Sequence, residues 1–370
     1  MKKYILLSVL FCISLSTCIT PYEATGIEEL GDILVVEGII TDNETTIILS
    51  RSAKLSDDYV GSIYVDNARV YVACDDGSQC EAEPPLGWDL GLDWRGGKYL
   101  LKTGTLSSDH KYWLRIEIEE RVYESDPSYP IQTPEIDSIF WMKQGRGQPV
   151  MIYVATHSPD NKALFYRWSY KEDWEIHSDL YLEDYPFYCW SMANNKDLLI
   201  GSGEKTVFGK ITDMLAALPP SSRKLSVMYR INVKQNAISK RAYDYYKNIK
   251  KNAEQTGSIF APIPSELRGN IICSTDPGRL VIGYVDISST TQKHRFISRM
   301  DNVYETPFMA CDEVPRDSLL NWYGVIPNNY VLFMEDLFAD PPFITYVPVS
   351  CVDCTLYGTE QKPENWPDKK

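Results

Sequence analysis

Alternation of apolar and polar side chains recurs through the first third of this chain, and it leaves few folds open. In Tyr112-Trp113-Leu114-Arg115-Ile116-Glu117-Ile118, positions 112, 114, 116 and 118 form one apolar row, and Arg115, Glu117 and the following Glu119 fall outside it. Successive side chains of a strand point to opposite faces, so this row belongs to a strand with one face in a core. Further strand-like runs are Ile33 to Ile40, Thr45 to Ser50, Ala68 to Ala73, Lys98 to Leu101 and Val122 to Ser125. Gly, Pro, Asn and Asp separate them, and about six short strands with turns between them predict a β-sandwich of roughly 100 residues.

The chain has 370 residues, is 44% hydrophobic and carries 25 tyrosines, enough material for two cores. Pro127, Pro130 and Pro134 break the first pattern, which places a boundary near Pro130. Beyond it, Val150 to Thr156, Leu164 to Tyr170, Leu225 to Val233, Gly269 to Cys273 and Leu280 to Ile287 read as strands. One helix is expected near 238–256: Ser239 can cap it, Ala242, Tyr245, Tyr246, Ile249 and Ala253 recur at helical spacing, and Gly257 can end it. The order of strands and turns in the first region resembles transthyretin-like and carboxypeptidase regulatory-like sandwiches. The expected fold is therefore mainly β: an N-terminal immunoglobulin-like/transthyretin-like β-sandwich over 31–130, then a second β-rich domain over 131–370 with the one inserted α-helix.

The first eighteen residues add a location. Lys2 and Lys3 precede an apolar block from Tyr4 to Leu15, too short to span about 30 Å of hydrocarbon permanently and suited to a signal peptide, residues 1–17. Leu15-Ser16-Thr17-Cys18 then reads as a lipoprotein cleavage site, although Thr17 is larger than the usual Gly, Ala or Ser. Acyl chains on Cys18, each contributing about 0.8 kcal/mol per buried CH₂, would anchor the protein to a membrane without spanning it. Residues 18–30 form an acidic tether with Glu23, Glu28 and Glu29, either a solvated linker or a surface-export signal of the kind some Bacteroidota lipoproteins carry.

Charge and cysteine content narrow the function classes. The formal net charge of −14 falls to −16 when Lys2 and Lys3 leave with the signal, and no basic run interleaved with aromatics exists, so nucleic acid is not an expected partner. Of nine cysteines, Cys12 leaves with the signal and Cys18 is the acyl acceptor; Cys74, Cys80, Cys189, Cys273, Cys311, Cys351 and Cys354 remain. In an exported chain disulfides are their default use, and an odd number leaves at least one unpaired. Cys74 and Cys80 flank the turn Asp75-Asp76-Gly77-Ser78-Gln79 and are expected to pair across a hairpin. Cys351-Val-Asp-Cys354 also resembles half a zinc ribbon that Cys273 and Cys311 could complete, but without a second C-x-x-C disulfides are favoured.

Leu34-Val35-Val36-Glu37-Gly38, Ile136-Asp137-Ser138-Ile139, Tyr243 to Phe260, Pro264, Gly269-Asn270-Ile271, Leu280 to Tyr284, and Cys351-Val-Asp-Cys354 followed by Lys362-Pro363 and Trp366 form an ordered set. That set resembles a large Bacteroidota lipoprotein family, domain of unknown function 4249. The resemblance implies a surface-facing outer-membrane lipoprotein encoded beside TonB-dependent receptors, hence a TonB-dependent barrel as partner and a role in uptake. It implies no chemistry.

The residues themselves supply no catalytic constellation. His110, His157, His177 and His294 form no His-Glu-x-x-His pair. Gly201-Ser202-Gly203 is too short for a nucleophile elbow and reads as a turn, and Gly145-Arg146-Gly147 lacks the third glycine of a nucleotide fingerprint. Paired carboxylates are too common in so acidic a chain to identify a glycosidase dyad. No enzyme activity, cofactor or metal is expected. The densest chemical feature is aromatic: Phe165, Tyr166, Trp168, Tyr170, Trp174, Tyr181, Tyr185, Phe187, Tyr188 and Trp190 crowd one segment. Core packing accounts for most such rings; Trp174, Tyr181 and Tyr185, set among Glu172, Asp173, Glu183 and Asp184, are the ones expected to be exposed for ligand or partner binding. The expected function is a lipid-anchored, non-enzymatic accessory to a TonB-dependent transporter, with a freestanding glycan- or peptide-binding module as the alternative.

Overall fold

The computed structural model describes residues 33–52, 63–83, 85, 96–255, 268–301, 303–305, 311–320 and 324–368. The signal peptide, Cys18, the tether and Gly257 lie outside the described residues. The chain is mainly β, with 47% strand and 11% helix. No helix among the described residues is long and apolar enough to cross a membrane.

The first sandwich begins with β1 (Leu34–Glu37), β2 (Asn43–Arg51), β3 (Ile63–Tyr64), β4 (Arg69–Cys74), β5 (Gln79–Glu81), β6 (Lys98–Gly104), β7 (Tyr112–Ile118) and β8 (Arg121–Ser125). The alternation in β7 acts as its pattern predicts: Leu114, Ile116 and Ile118 are buried, and Arg115 and Glu117 pair with each other on the other face. They meet Leu34, Val36, Ile47, Leu49 and Leu101 from the facing sheet in one core.

Two strands from far along the chain complete this sandwich. β16 (Ile271–Cys273) pairs antiparallel with β8, and β17 (Val281–Gly283) pairs parallel with β1. One sheet is ordered β17-β1-β2-β3 with β6 also on β2, and the other β16-β8-β7-β4-β5. The expected domain of residues 31–130 is thus corrected: it is not a contiguous unit, because residues 271–283 lie inside it. Two glycines of the family-like motifs explain themselves here. A Cβ on Gly269 would stand 1.4 Å from the Gly283 carbonyl oxygen, and one on Gly38, at φ +154°, would meet Ile47 Cδ1 at 2.5 Å. The neighbouring Asn270 closes the pair by donating to Val285 O and accepting from Val285 N, both at 2.8 Å.

The second sandwich stacks a sheet of β9 (Ile136–Lys143), β10 (Val150–Thr156) and β14 (Ile211–Leu218) on a sheet of β11 (Phe165–His177), β12 (Tyr188–Asn194), β13 (Leu199–Ser202), β15 (Met228–Ala237) and β18 (Thr290–Ser298). Ile152, Val154, Tyr166, Trp168, Tyr229, Ile231 and Val233 form its core. Gly201-Ser202, read from sequence as a turn, instead ends β13, where a Cβ on Gly201 would strike the Trp168 ring at 2.5 Å. The C-terminal part forms a small sheet of β19 (Val314–Pro315), β21 (Phe343–Pro348) and β20 (Tyr330–Asp336).

Helix α1 (Lys240–Gln255) occupies the span its periodicity predicts, and the Ser239 hydroxyl accepts from Ala242 N as its cap. Its apolar face, Ala242, Tyr245 and Tyr246, packs on Phe165 of the second sandwich and on Tyr284 beside the first. The stretch from Tyr284 to Ser289 is the seam between the two sandwiches. Ile40 and Ile131 lie beside it in parallel bridges, and Thr133 Oγ1 donates to Ser289 O while accepting from Ala237 N.

The cysteine pairing differs from the hairpin expectation. Cys189 bonds Cys354 and Cys311 bonds Cys351, so the zinc set with Cys273 does not form; Cys74, Cys80 and Cys273 are free thiols. Register corrects the expected Cys74–Cys80 bond: Cys80 stands opposite Val72, and Cys74 N donates its hairpin bond to Ser78 O at 2.9 Å. The two cysteines are diagonal neighbours, about 7–8 Å apart at Cα and beyond disulfide reach.

Candidate functional site

β11 is the spine of the second sandwich, and both of its faces are covered along most of its length. Trp168 and Tyr166 point into the core, whereas the opposite row meets helix α1 at one end and the C-terminal tail at the other. The acidic stretch is neutralised in place. Glu172 accepts from Tyr229 Oη at 2.7 Å and from Lys224 Nζ at 2.5 Å; Asp173 Oδ2 takes Nε and Nη2 of Arg230 at 3.0 and 2.7 Å; Glu175 accepts from Trp366 Nε1 at 3.1 Å. Burial, then the charge of Glu172, pushes the Tyr229 hydroxyl far above its ordinary pKa, and burial pushes Tyr170 up to about 12. Groups so paired hold a strand in place.

Beyond Glu175 the strand emerges and its aromatic neighbours gather. His177 stands opposite Tyr188 on β12, their rings edge-on with centroids 4.9 Å apart. Phe187 lies 4.9 Å from Tyr188 and 5.3 Å from His177, and Tyr181 closes on Phe187 at 5.9 Å. Tyr181 is 67% exposed and Tyr188 47%. Alternation carries the same face of β12 on through half-buried Trp190 to Met192, which is 58% exposed.

The loop bearing these rings is tied down. Ser178 N donates to Phe187 O at 3.0 Å, Ser178 Oγ to Val352 O at 2.8 Å and Leu180 N to Cys351 O at 2.8 Å. Cys189, beside Tyr188, is bonded to Cys354, and Trp190 exchanges both backbone hydrogen bonds with Thr359. Rings held by covalent bonds and backbone ladders lose little entropy when a partner covers them.

Of the three residues expected at the surface, Tyr181 is part of this cluster and Tyr185 is half-buried in the same loop. Trp174 is corrected: it faces inward against Ile176, Cys189 and Cys354, with Lys224 Nζ 4.9 Å above its ring. Sequence reasoning did not single out Phe187, Tyr188 or Met192, although the spacing Tyr188-Trp190-Met192 carries the signal for one face of a strand. The histidines lie apart, His110 beside Asp75, His157 beside Asp137 and His177 beside Glu175.

A second concave feature lies at the sandwich junction. A trough of about 550 Å³ opens between β1, β17, helix α1 and the 195–198 loop. Arg167 lines it, donating to Tyr246 Oη at 3.2 Å with its guanidinium 5.0 Å from the ring centre. Tyr245 also lines it, its hydroxyl pushed up to about 12 by burial.

A family model described as a domain of unknown function, DUF4249, matches residues 19–294. No curated protein matches the chain. Among solved structures, a two fibronectin type-III domain segment from chicken tenascin is 14% identical, with 55% of this chain and 90% of that one covered, at a TM-score of 0.15.

Proposed function

As this chain belongs to the DUF4249 family, whose description carries no chemistry to transfer, its own surface must supply the reading, and we propose a lipid-anchored, non-enzymatic cell-envelope protein that docks on a TonB-dependent outer-membrane barrel and helps capture or admit its ligand. The observation that carries this reading is the ring cluster on a disulfide-held hairpin, in which exposed Tyr181 and Tyr188 flank half-buried Phe187. Aromatic anchors on a rigid base are the usual source of binding energy at protein interfaces. Cys18 behind a signal peptide supplies the anchor, and the bonds Cys189–Cys354 and Cys311–Cys351 suit an oxidising compartment.

The test is purification of the tagged full-length lipoprotein from native membranes in mild detergent, with mass spectrometry of stoichiometric companions. A TonB-dependent barrel should accompany it and be lost with Tyr181→Ala/Tyr188→Ala. A lone lipoprotein would overturn the docking role. It would favour the second reading, a freestanding glycan- or peptide-binding module, for which the junction trough with Arg167 and Tyr246 is a candidate cavity.

A further inference from the structure

At one end of the first sandwich three different donor groups meet. Cys74 ends β4 directly opposite Tyr112, which starts β7. Asp75 follows it into the turn and locks onto the loop before β7: Asp75 N donates to Lys111 O at 3.0 Å, and Lys111 N donates to Asp75 Oδ2 at 3.1 Å. These bonds leave Asp75 Oδ1 facing two further groups, His110 Nδ1 at 2.7 Å and Cys74 Sγ at 3.8 Å. Thiol sulfur, imidazole nitrogen and carboxylate oxygen all lie within 4.8 Å of one another.

We propose that Cys74, Asp75 and His110 form a three-ligand site for a transition-metal dication of the zinc class, with a fourth position open toward solvent. Ligand atoms about 2.0–2.3 Å from a tetrahedral ion stand roughly 3.3–3.8 Å from each other. The sulfur–oxygen separation is already there, and His110, 42% exposed on its loop, needs to move by less than about 1 Å to open its contact with Asp75. Thiolate with imidazole selects zinc-like ions over magnesium or calcium, which prefer all-oxygen cages. On binding the thiol proton leaves to solvent, the imidazole presents an unprotonated Nδ1 with its proton carried on Nε2, and the Asp75 carboxylate, which faces both groups, becomes a ligand beside them.

Geometry also argues that this thiol is not a disulfide partner in waiting. Cys74 is buried, and Cys80 lies a diagonal register step away with its own thiol directed to Lys102 O at 3.2 Å. The site departs from the sequence expectation of no metal, and it is independent of the docking surface on the second sandwich.

The experiment is cobalt(II) titration of the mature protein with both disulfides intact, followed by zinc competition. One equivalent of cobalt should bind with a sulfur-to-cobalt charge-transfer absorption, and zinc should abolish it. Cys74→Ser should lose that absorption, whereas Cys80→Ser and Cys273→Ser should retain it. His110→Ala should weaken binding at least tenfold at an unchanged urea unfolding midpoint, since altering even an outer partner of a metal ligand typically costs about 10–100-fold. Absence of the absorption in the parent, its persistence without Cys74, or unchanged affinity in His110→Ala would each overturn the site.

Discussion

The Asp286 carboxylate accepts a hydrogen bond of 2.7 Å from the backbone N–H of Ser239, the residue whose hydroxyl caps helix α1. One buried acid thereby joins the seam of the first sandwich to the start of the helix that leans on both. Burial pushes its carboxyl up to about 6, against the opposing pull of the Ser239 bonds and Arg241.

A raised acid has a definite consequence for stability. Below about pH 4 the carboxyl is protonated in folded and unfolded chains alike; between about 4 and 6 the folded chain holds the extra proton. Its contribution is therefore full at low pH and lost as pH rises through 6, an effect of up to about 3 kcal/mol. Asp286→Asn keeps an acceptor for Ser239 and removes the charge. Urea unfolding at pH 4 and pH 8 should show the variant gaining about 2–3 kcal/mol on the parent between the two; parallel curves would mean Asp286 is ionised without penalty.

Gly269 faces a different constraint. With Gly283 O only 1.4 Å from the site of a Cβ, Gly269→Ala must push apart the strands that β16 and β17 contribute to the first sandwich. The expected loss is about 3 kcal/mol or more, at the upper end of overpacking. Gly278→Ala, whose Cβ would stand 3.8 Å from Asp276 Oδ1, should leave the unfolding midpoint nearly unchanged and serves as the control.

Local signals were legible in the sequence, and long-range ones were not. The apolar row of β7 and the capped, amphipathic α1 depend on neighbours a few residues away, and both appear where expected. Pairing of β17 with β1 joins residues that share no local pattern, so the first sandwich looked contiguous when it is not. Local pattern on β11 could not show that Trp174 would be covered by the Cys189–Cys354 bond, whose partners lie far apart in the chain. His110 and Asp75 are 35 residues apart and match no spacing motif, so only the fold brings them together.

The disulfide pattern predicts both chemistry and stability. Alkylation of the unreduced, denatured mature protein should label Cys74, Cys80 and Cys273 and spare the other four paired cysteines. A peptide linking Cys74 to Cys80 would refute the register. Because Cys189–Cys354 closes a separation of 165 residues, Cys354→Ser should destabilise the second sandwich by about 2–4 kcal/mol in urea.

The last prediction concerns the polar heart of the second sandwich. Gln235, fully buried on β15, accepts from Trp168 Nε1 at 2.8 Å and donates to Pro134 O at 2.8 Å and Thr156 Oγ1 at 3.2 Å. A single amide thus ties β11 and β15 to the start of β9 and the end of β10, across the gap between the two sheets. Gln235→Leu has a similar volume and more apolar surface, so simple area burial predicts a gain. The hydrogen-bond argument predicts the reverse: the Trp168 N–H would be left buried without its acceptor, costing about 1–3 kcal/mol, whereas the Pro134 carbonyl keeps its bond from Thr291 Oγ1 at 2.9 Å. We expect a net loss of about 1–3 kcal/mol by urea unfolding, and a gain would show that water enters to satisfy the indole N–H.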